Sequence, residues 1–399
     1  MSQAAAIRVG AIDVLRALTM LLMIFVNDLW SLRGIPEWLE HVPAAADGMG
    51  LADVVFPGFL FIVGMSVPFA VRNRRLKGDD DFAISRHIVV RGLALLVMGL
   101  FLVNGEYLNE AASSITRGYW NVLSCTGFIL IWNNYPPTLN RTVVVLLKSA
   151  GLAMLLFLVF YYKGGEGEQL VSFQSWWWGI LGLIGWAYLV VALLFAWSGG
   201  SQRALWAGWV LSILLCTANH LHWLPESGLF RTLISPIGEG AMTALTIGGA
   251  LASQLFWKQV NGAAFNWKKF ALYFLLGGVA LLALGFLLRP IGGISKIRAT
   301  PSWVLICSGI MVLVFVLVYW LVDVRKKGNW FSLIRPAGTE TLLCYLVPYY
   351  AYALVAISGL ALPAAVLTGI PGLLKSLCFA LLVILVAGLL SRRLIRLRL

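Results

Sequence analysis

Charged side chains are scarce: Asp, Glu, Lys and Arg together make up 12% of the 399 residues, against roughly 25% in a soluble domain. Hydrophobic residues account for 60% and the mean hydropathy is +0.87. No globular core encloses that much apolar side chain, which excludes a soluble enzyme. Acidic residues are fewer than basic ones, 17 against 30, and the net charge is +13. In a soluble chain such an excess would suggest a nucleic-acid partner. Here the basic residues collect in short loops between apolar runs, as retention of cytoplasmic loops requires, so no nucleic acid is expected. The five cysteines, Cys125, Cys216, Cys307, Cys344 and Cys378, fall within or beside apolar runs and not in paired loop positions. They read as buried thiols, not as disulfides or metal ligands. The sequence also lacks an internal repeat, a long linker and a glycine-rich nucleotide loop following a strand. Its first apolar run carries Asp13 and Arg16 and has no small-residue cleavage site. That run is therefore expected to stay as a span and not to leave as a signal peptide.

Long apolar runs are what the chain has in abundance. A spanning helix needs about 20 mainly apolar residues, and lipid cannot satisfy exposed backbone groups, so unbroken runs of this kind predict helices. Twelve are expected, near 11–28, 51–71, 88–104, 119–135, 142–162, 176–197, 204–223, 238–257, 269–289, 302–322, 339–358 and 372–390. The fold class is thus an all-α polytopic transmembrane helix bundle of about twelve spans, eleven being the alternative, organised as one domain over residues 1–399. Most Lys and Arg fall in alternate loops if both termini are cytoplasmic, and an even number of spans preserves that asymmetry. The segment from Asp28 to Gly50 then lies on the outer face.

Ionisable groups in or beside a span are costly unless paired or hydrated, and each is a candidate for function. Asp13 and Arg16 are three residues apart on one helix face and can neutralise each other. The first span ends in Asn27-Asp28, the second begins Gly50-Leu51-Ala52-Asp53, and Glu40-His41 and Asp47 lie between them. An imidazole takes up a proton near neutrality, and a neighbouring carboxylate fixes its tautomer, so His41 with Asp53 and Asn27 is a candidate acid–base group. The structural alternatives stand beside it: Asp53 and Asn27 as helix caps, His41 as a solvated loop residue. Of the other histidines, His87 borders a basic loop, and His220 and His222 form an array with too few neighbouring ligands for a metal site. No metal is expected. Glu239 and Lys296 lie near outer span ends and Glu340 near an inner one. Gly248-Gly249 and Gly277-Gly278 point to close helix packing.

These residues resemble a known family, the membrane acetyltransferases typified by heparan-alpha-glucosaminide N-acetyltransferase, with its bacterial NagX-type relatives. The likeness is strongest from Ile12 to Val71. Ile12-Asp13-Val14-Leu15-Arg16-Ala17-Leu18 is similar to the family's opening D-x-x-R-G. Met23 to Asn27 follows, then a histidine, then Leu51-Ala52-Asp53-Val54-Val55-Phe56-Pro57 with Phe59 to Ser66. Farther on, Gly238-Glu239-Gly240 resembles D-P-E-G, Lys296 with Thr300 to Leu305 resembles N-K-x-x-W-T-S-S-x-V-L, and Gly338 to Tyr345 resembles G-M-N-A-I-x-x-Y. Departures are Val42-Pro43-Ala44 after the histidine, Glu340 near an expected Asn, and two spans around 176–223 that look added to a ten-helix core.

The resemblance implies transfer of an acetyl group from cytoplasmic acetyl-CoA to an amino-sugar or glycan acceptor on the other side. It carries over His41 as the catalytic histidine, base or acetyl carrier, with Asp53 and Asn27 as its polar neighbours. The cations Arg72, Arg74, Arg75, Arg86 and Arg91 are the candidates for CoA phosphates. Asp28, Asp47, Glu239 and Lys296 are candidates for the acceptor. Expected partners are acetyl-CoA, the acceptor, the lipid bilayer and at most a second copy of the chain, as a homodimer. The expected location is the bacterial inner membrane. A secondary transporter for a sugar or oligosaccharide is the main alternative, although no matching halves or paired broken helices are visible. A flippase or polymer-handling scaffold without chemistry is the third reading.

Overall fold

A computed structural model describes residues 9–165, 167, 169–261, 265–393 and 395–397. Among them the secondary structure is helical, and β-pairing is confined to isolated bridges such as Arg33 with Thr368. A helix coincides with each of the twelve expected segments: α1 (Gly10–Asp28), α2 (Leu51–Leu76), α3 (Asp81–Glu106), α4 (Arg117–Trp132), α5 (Arg141–Tyr161), α6 (Ile180–Trp197), α7 (Gln202–His220), α9 (Ala241–Val260), α10 (Trp267–Leu287), α11 (Pro301–Tyr319), α13 (Thr341–Ser358) and α14 (Gly369–Arg393). Two short helices, α8 (Leu229–Ile234) and α12 (Arg335–Thr339), lie in connections. Among the described residues nine helices are long and apolar enough to cross a membrane. The other three long ones fall short for readable reasons. The α4 helix has 16 residues, and α7 and α9 interrupt their apolar sequence with Gln, Ser, Thr and Asn.

Helix starts follow local chemistry. Side-chain oxygens of Asn140, Asn266 and Thr300 accept backbone N–H groups at the first turns of α5, α10 and α11, as N-caps do. The α9 helix begins three residues later than its apolar run suggests. Gly238, Glu239 and Gly240 all have positive φ, 60°, 47° and 98°, and this left-handed turn cannot continue a right-handed helix.

The described residues form two compact units that interleave in sequence. One takes the chain up to Thr19 with Pro36–Leu93 and Leu183–Ser332; the other takes Met20–Ile35, Ala94–Gly182 and the chain from Leu333 onward. Three of the five divisions fall inside α1, α3 and α6; the other two, after Ile35 and Ser332, fall in short connections.

In the first unit α2 packs against α9 and α10 against α11. A Cβ added at Gly64 would lie 1.8 Å from the Thr246 carbonyl oxygen, and one at Gly249 would lie 1.8 Å from that of Phe61. Only glycine permits this approach of backbones. Gly278 is similarly crowded by Leu313, whereas Gly277 faces open space; the packing expectation holds for Gly249 and Gly278 and fails for Gly277, which is on the outward side of α10. Phe256, Phe270, Phe315 and Tyr319 interlock edge-to-face in the same unit. Arg16 reaches Asp13 at 3.4 Å and the Ser66 hydroxyl at 2.6 Å, the mutual neutralisation that their spacing predicts.

The second unit is built on the buried Trp120, whose indole N–H donates to the Phe101 carbonyl at 2.9 Å. Four of the five cysteines are buried; Cys378 is exposed, because it sits on an outward face of α14.

Candidate functional site

The site starts with a helix cap. Gly50 precedes α2, and Asp53, the third residue of that helix, turns its Oδ2 back to accept the Gly50 N–H at 3.0 Å. The same oxygen accepts the Val42 N–H at 3.0 Å, and the Asp53 main-chain carbonyl accepts the Trp303 indole N–H at 2.9 Å. The remaining oxygen, Oδ1, lies 2.7 Å from His41 Nδ1. One carboxylate therefore both caps α2 and contacts the His41 ring. Its side chain is 1% exposed while the imidazole is 44% exposed, so a dry, fully bonded carboxylate holds a ring that still presents itself to reactants. Close backbone approach is built in: a Cβ on Gly50 would fall 2.0 Å from the Glu40 carbonyl oxygen.

This geometry fixes the tautomer. A carboxylate only accepts, so Nδ1 carries the hydrogen that lies between it and Asp53, and Nε2 is left with a lone pair. Lys296 Nζ stands 3.3 Å from both ring nitrogens. With the Nδ1 hydrogen committed, Nε2 is the nitrogen able to accept from it. Burial pulls the Lys296 ammonium below its ordinary pKa, and the nearby Asp53 charge opposes that shift.

A second carboxylate secures the loop that brings Lys296 in. Asp47 accepts the Ile294 N–H at 2.7 Å and the Arg289 Nε–H at 2.9 Å, and the Gly48 N–H donates to the Ile294 carbonyl at 2.9 Å. The Ile294 N–H and the Arg289 guanidinium hold the Asp47 carboxyl below its usual range. His41, Asp47, Asp53 and Lys296 thus come together within the first unit.

The other expected residues are placed elsewhere. Asn27 and Asp28 belong to the second unit. Asn27 lines a cavity there of about 1010 Å³. Asp28 is buried and occupied by Lys375 and Ser376, each at 2.6 Å, and by the Tyr352 hydroxyl at 3.0 Å. Glu239 pairs with Arg231 at 3.4 Å. Both ring nitrogens of His220 face carbonyl oxygens, of Cys216 at 2.8 Å and Arg298 at 3.0 Å.

The five candidate phosphate cations separate clearly. Arg74 pairs with Asp79 at 2.6 Å and Arg75 with Asp81 at 3.0 Å. Arg91 lies over the Tyr188 ring and Arg86 is exposed. Arg72 is bonded to the Gln254 side-chain oxygen and lies over the Trp257 ring at 4.9 Å; its Nη1 is buried with no hydrogen-bond partner.

Trp303, which braces Asp53, carries no motif signal in the sequence: aligned on Lys296 and Thr300, the family pattern has its W at Ala299 and no fixed residue at 303.

A helical, polytopic membrane protein with a buried carboxylate orienting a half-exposed imidazole is the class that fold and site define. A sequence model described as heparan-alpha-glucosaminide N-acetyltransferase, catalytic, matches residues 8–233. The chain belongs to that family. Two curated relatives, both named heparan-alpha-glucosaminide N-acetyltransferase, are similar to it: the Homo sapiens protein is 32% identical and the Mus musculus protein 31% identical, each over 100 residues. The match covers 25% of this chain and spans 14% of the length of each relative.

Proposed function

We propose that this protein is a membrane-embedded acetyltransferase that moves an acetyl group from cytoplasmic acetyl-CoA to an amino-sugar or glycan acceptor, glucosamine-like, on the outer face of a bacterial inner membrane. The observation that carries this reading is the 2.7 Å contact of His41 Nδ1 with Asp53, which leaves Nε2 as a base of defined direction.

An amine attacking a thioester needs a base for its proton, positive charge near the developing oxyanion, and cations for the donor's phosphates. His41 Nε2 takes the proton as the acceptor nitrogen bonds to the acetyl carbon. The carbon–sulfur bond then breaks, and the thiolate leaves and recovers a proton from the imidazolium. Asp53 holds the ring and offsets the imidazolium charge. Lys296, within 3.3 Å of the ring, is the cation available to the tetrahedral oxygen. If the acetyl group first rests on His41, Nε2 is the atom that carries it. Asn27, a residue of the second unit, is carried as a catalytic polar group by the resemblance alone. Among the five cations Arg72 is the candidate for a CoA phosphate, because its Nη1 group has no hydrogen-bond partner among the described residues.

Purified full-length protein in detergent, given labelled acetyl-CoA and glucosamine, is expected to yield labelled N-acetylglucosamine. Protein that binds acetyl-CoA, shown by a rise in melting temperature, yet labels no amino sugar would contradict the reading.

A further inference from the structure

The cavity of about 1010 Å³ in the second unit has a chemistry of its own. Glu106, the last residue of α3, lies on its wall, and among the described residues no Lys or Arg forms an ion pair with its carboxylate. The cation on the cavity wall, Arg117, spends its Nη2 on the Glu106 main-chain carbonyl at 2.6 Å, while its own backbone N–H donates to Glu110 at 2.7 Å. Two carboxylates against one guanidinium leave the cavity net negative, which disfavours a phosphate-bearing ligand. The rest of the wall is aromatic and amide. Trp30 and Tyr352 meet edge-to-face at 6.2 Å, Tyr349 adds a hydroxyl, and Asn27 and Asn121 offer both donors and acceptors. Aromatic faces beside amides suit a pyranose, whose C–H faces pack on rings while its hydroxyls bond to polar groups. The volume exceeds what a single sugar ring needs.

We propose that this cavity binds the protonated amino-sugar end of the acceptor, with Glu106 as the carboxylate that recognises its ammonium. The inference rests on the acetyl-transfer reading and adds where the acceptor is recognised and by what. A neutral N-acetyl amide forms no such ion pair, so the acetylated sugar is expected to bind this cavity more weakly than the free amine.

The test is equilibrium binding to the full-length protein without acetyl-CoA, with glucosamine, N-acetylglucosamine and glucose as probes, on wild type and Glu106→Gln. Wild type is expected to bind glucosamine at least about tenfold more tightly than the two neutral sugars. Glu106→Gln is expected to lose that preference while binding glucose as before, which also shows that the variant is folded. A wild type without preference for glucosamine, or a Glu106→Gln protein that keeps it, overturns the proposal. If Glu106-dependent binding is found but no acetyl transfer, the acetyltransferase reading fails and this site stands. If transfer occurs with unaltered glucosamine affinity in Glu106→Gln, the reverse holds.

Discussion

His41 and Asp53 stand twelve residues apart on either side of a helix start, and the 2.7 Å contact between Nδ1 and Oδ1 makes the cap of α2 and the orienting group of the imidazole the same carboxylate. The ring direction is thereby tied to the first turn of a buried helix. Sites held by rigid elements keep their geometry better than sites carried on loops alone.

Asp53→Asn tests that coupling. An amide can present its NH₂ to Nδ1, which favours the opposite tautomer and places the hydrogen on Nε2. Acetyl transfer should fall by roughly 10²–10⁴ in kcat, the range seen when general base catalysis is lost, with far-ultraviolet circular dichroism unchanged. A kcat within a few-fold of wild type would mean that Asp53 serves only as a cap.

Lys296 predicts a pH dependence of stability. Burial depresses its folded-state pKa below 10.5, so between the folded value and 10.5 the unfolded chain binds more protons than the native one. Stability should therefore rise with pH through that window and stay level with respect to this group below it. Melting temperatures of wild type and Lys296→Met in detergent, taken from neutral to alkaline pH, should differ by this slope. Parallel curves would show that the ammonium is well hydrated.

The phosphate assignment separates Arg72 from its neighbours. Arg72→Gln should raise the KM for acetyl-CoA about tenfold or more, on the order of the 1.5–3 kcal/mol of a charge-assisted hydrogen bond. Arg74→Gln should have a smaller effect, because Arg74 is already paired with Asp79. Equal effects of the two substitutions would remove Arg72 from its role.

Glycine contacts give a stability contrast within one unit. Gly64→Ala places a methyl 1.8 Å from the Thr246 carbonyl oxygen, and overpacking of this kind costs about 1–3 kcal/mol. Gly277→Ala meets nothing within 4 Å and should gain up to about 1 kcal/mol from helix propensity. Thermal unfolding of the two variants measures the difference, and a Gly64→Ala protein as stable as wild type would contradict the close packing of α2 on α9.

The helices were legible because their signal is local. Apolar runs of 16 residues or more cannot be hidden, and each expected segment coincides with a helix. The start of α9 was less so, because the chain is apolar on both sides of Gly238-Glu239-Gly240 and only the two glycines hint at the left-handed turn. At the site, Gly50-x-x-Asp53 could be read as a cap and as a histidine partner, and the structure gives it both roles. The contact of Lys296 with His41 spans 255 positions, and no periodicity within either segment reports it. Glu106 stands just past an apolar run with no motif around it to mark it. Tyr345, Tyr349 and Tyr352, spaced by four and three residues along α13, carried a recoverable signal: they share one helix face, and that face lines the cavity.

The central claim is that the imidazole of residue 41 is the group through which the acetyl group or the acceptor's proton passes. Acetyl transfer from labelled acetyl-CoA to glucosamine by purified His41→Ala tests it most directly. Product formation should drop about 100-fold or more, with the acetyl-CoA-induced rise in melting temperature retained. A His41→Ala protein that labels glucosamine at the wild-type rate would contradict the account.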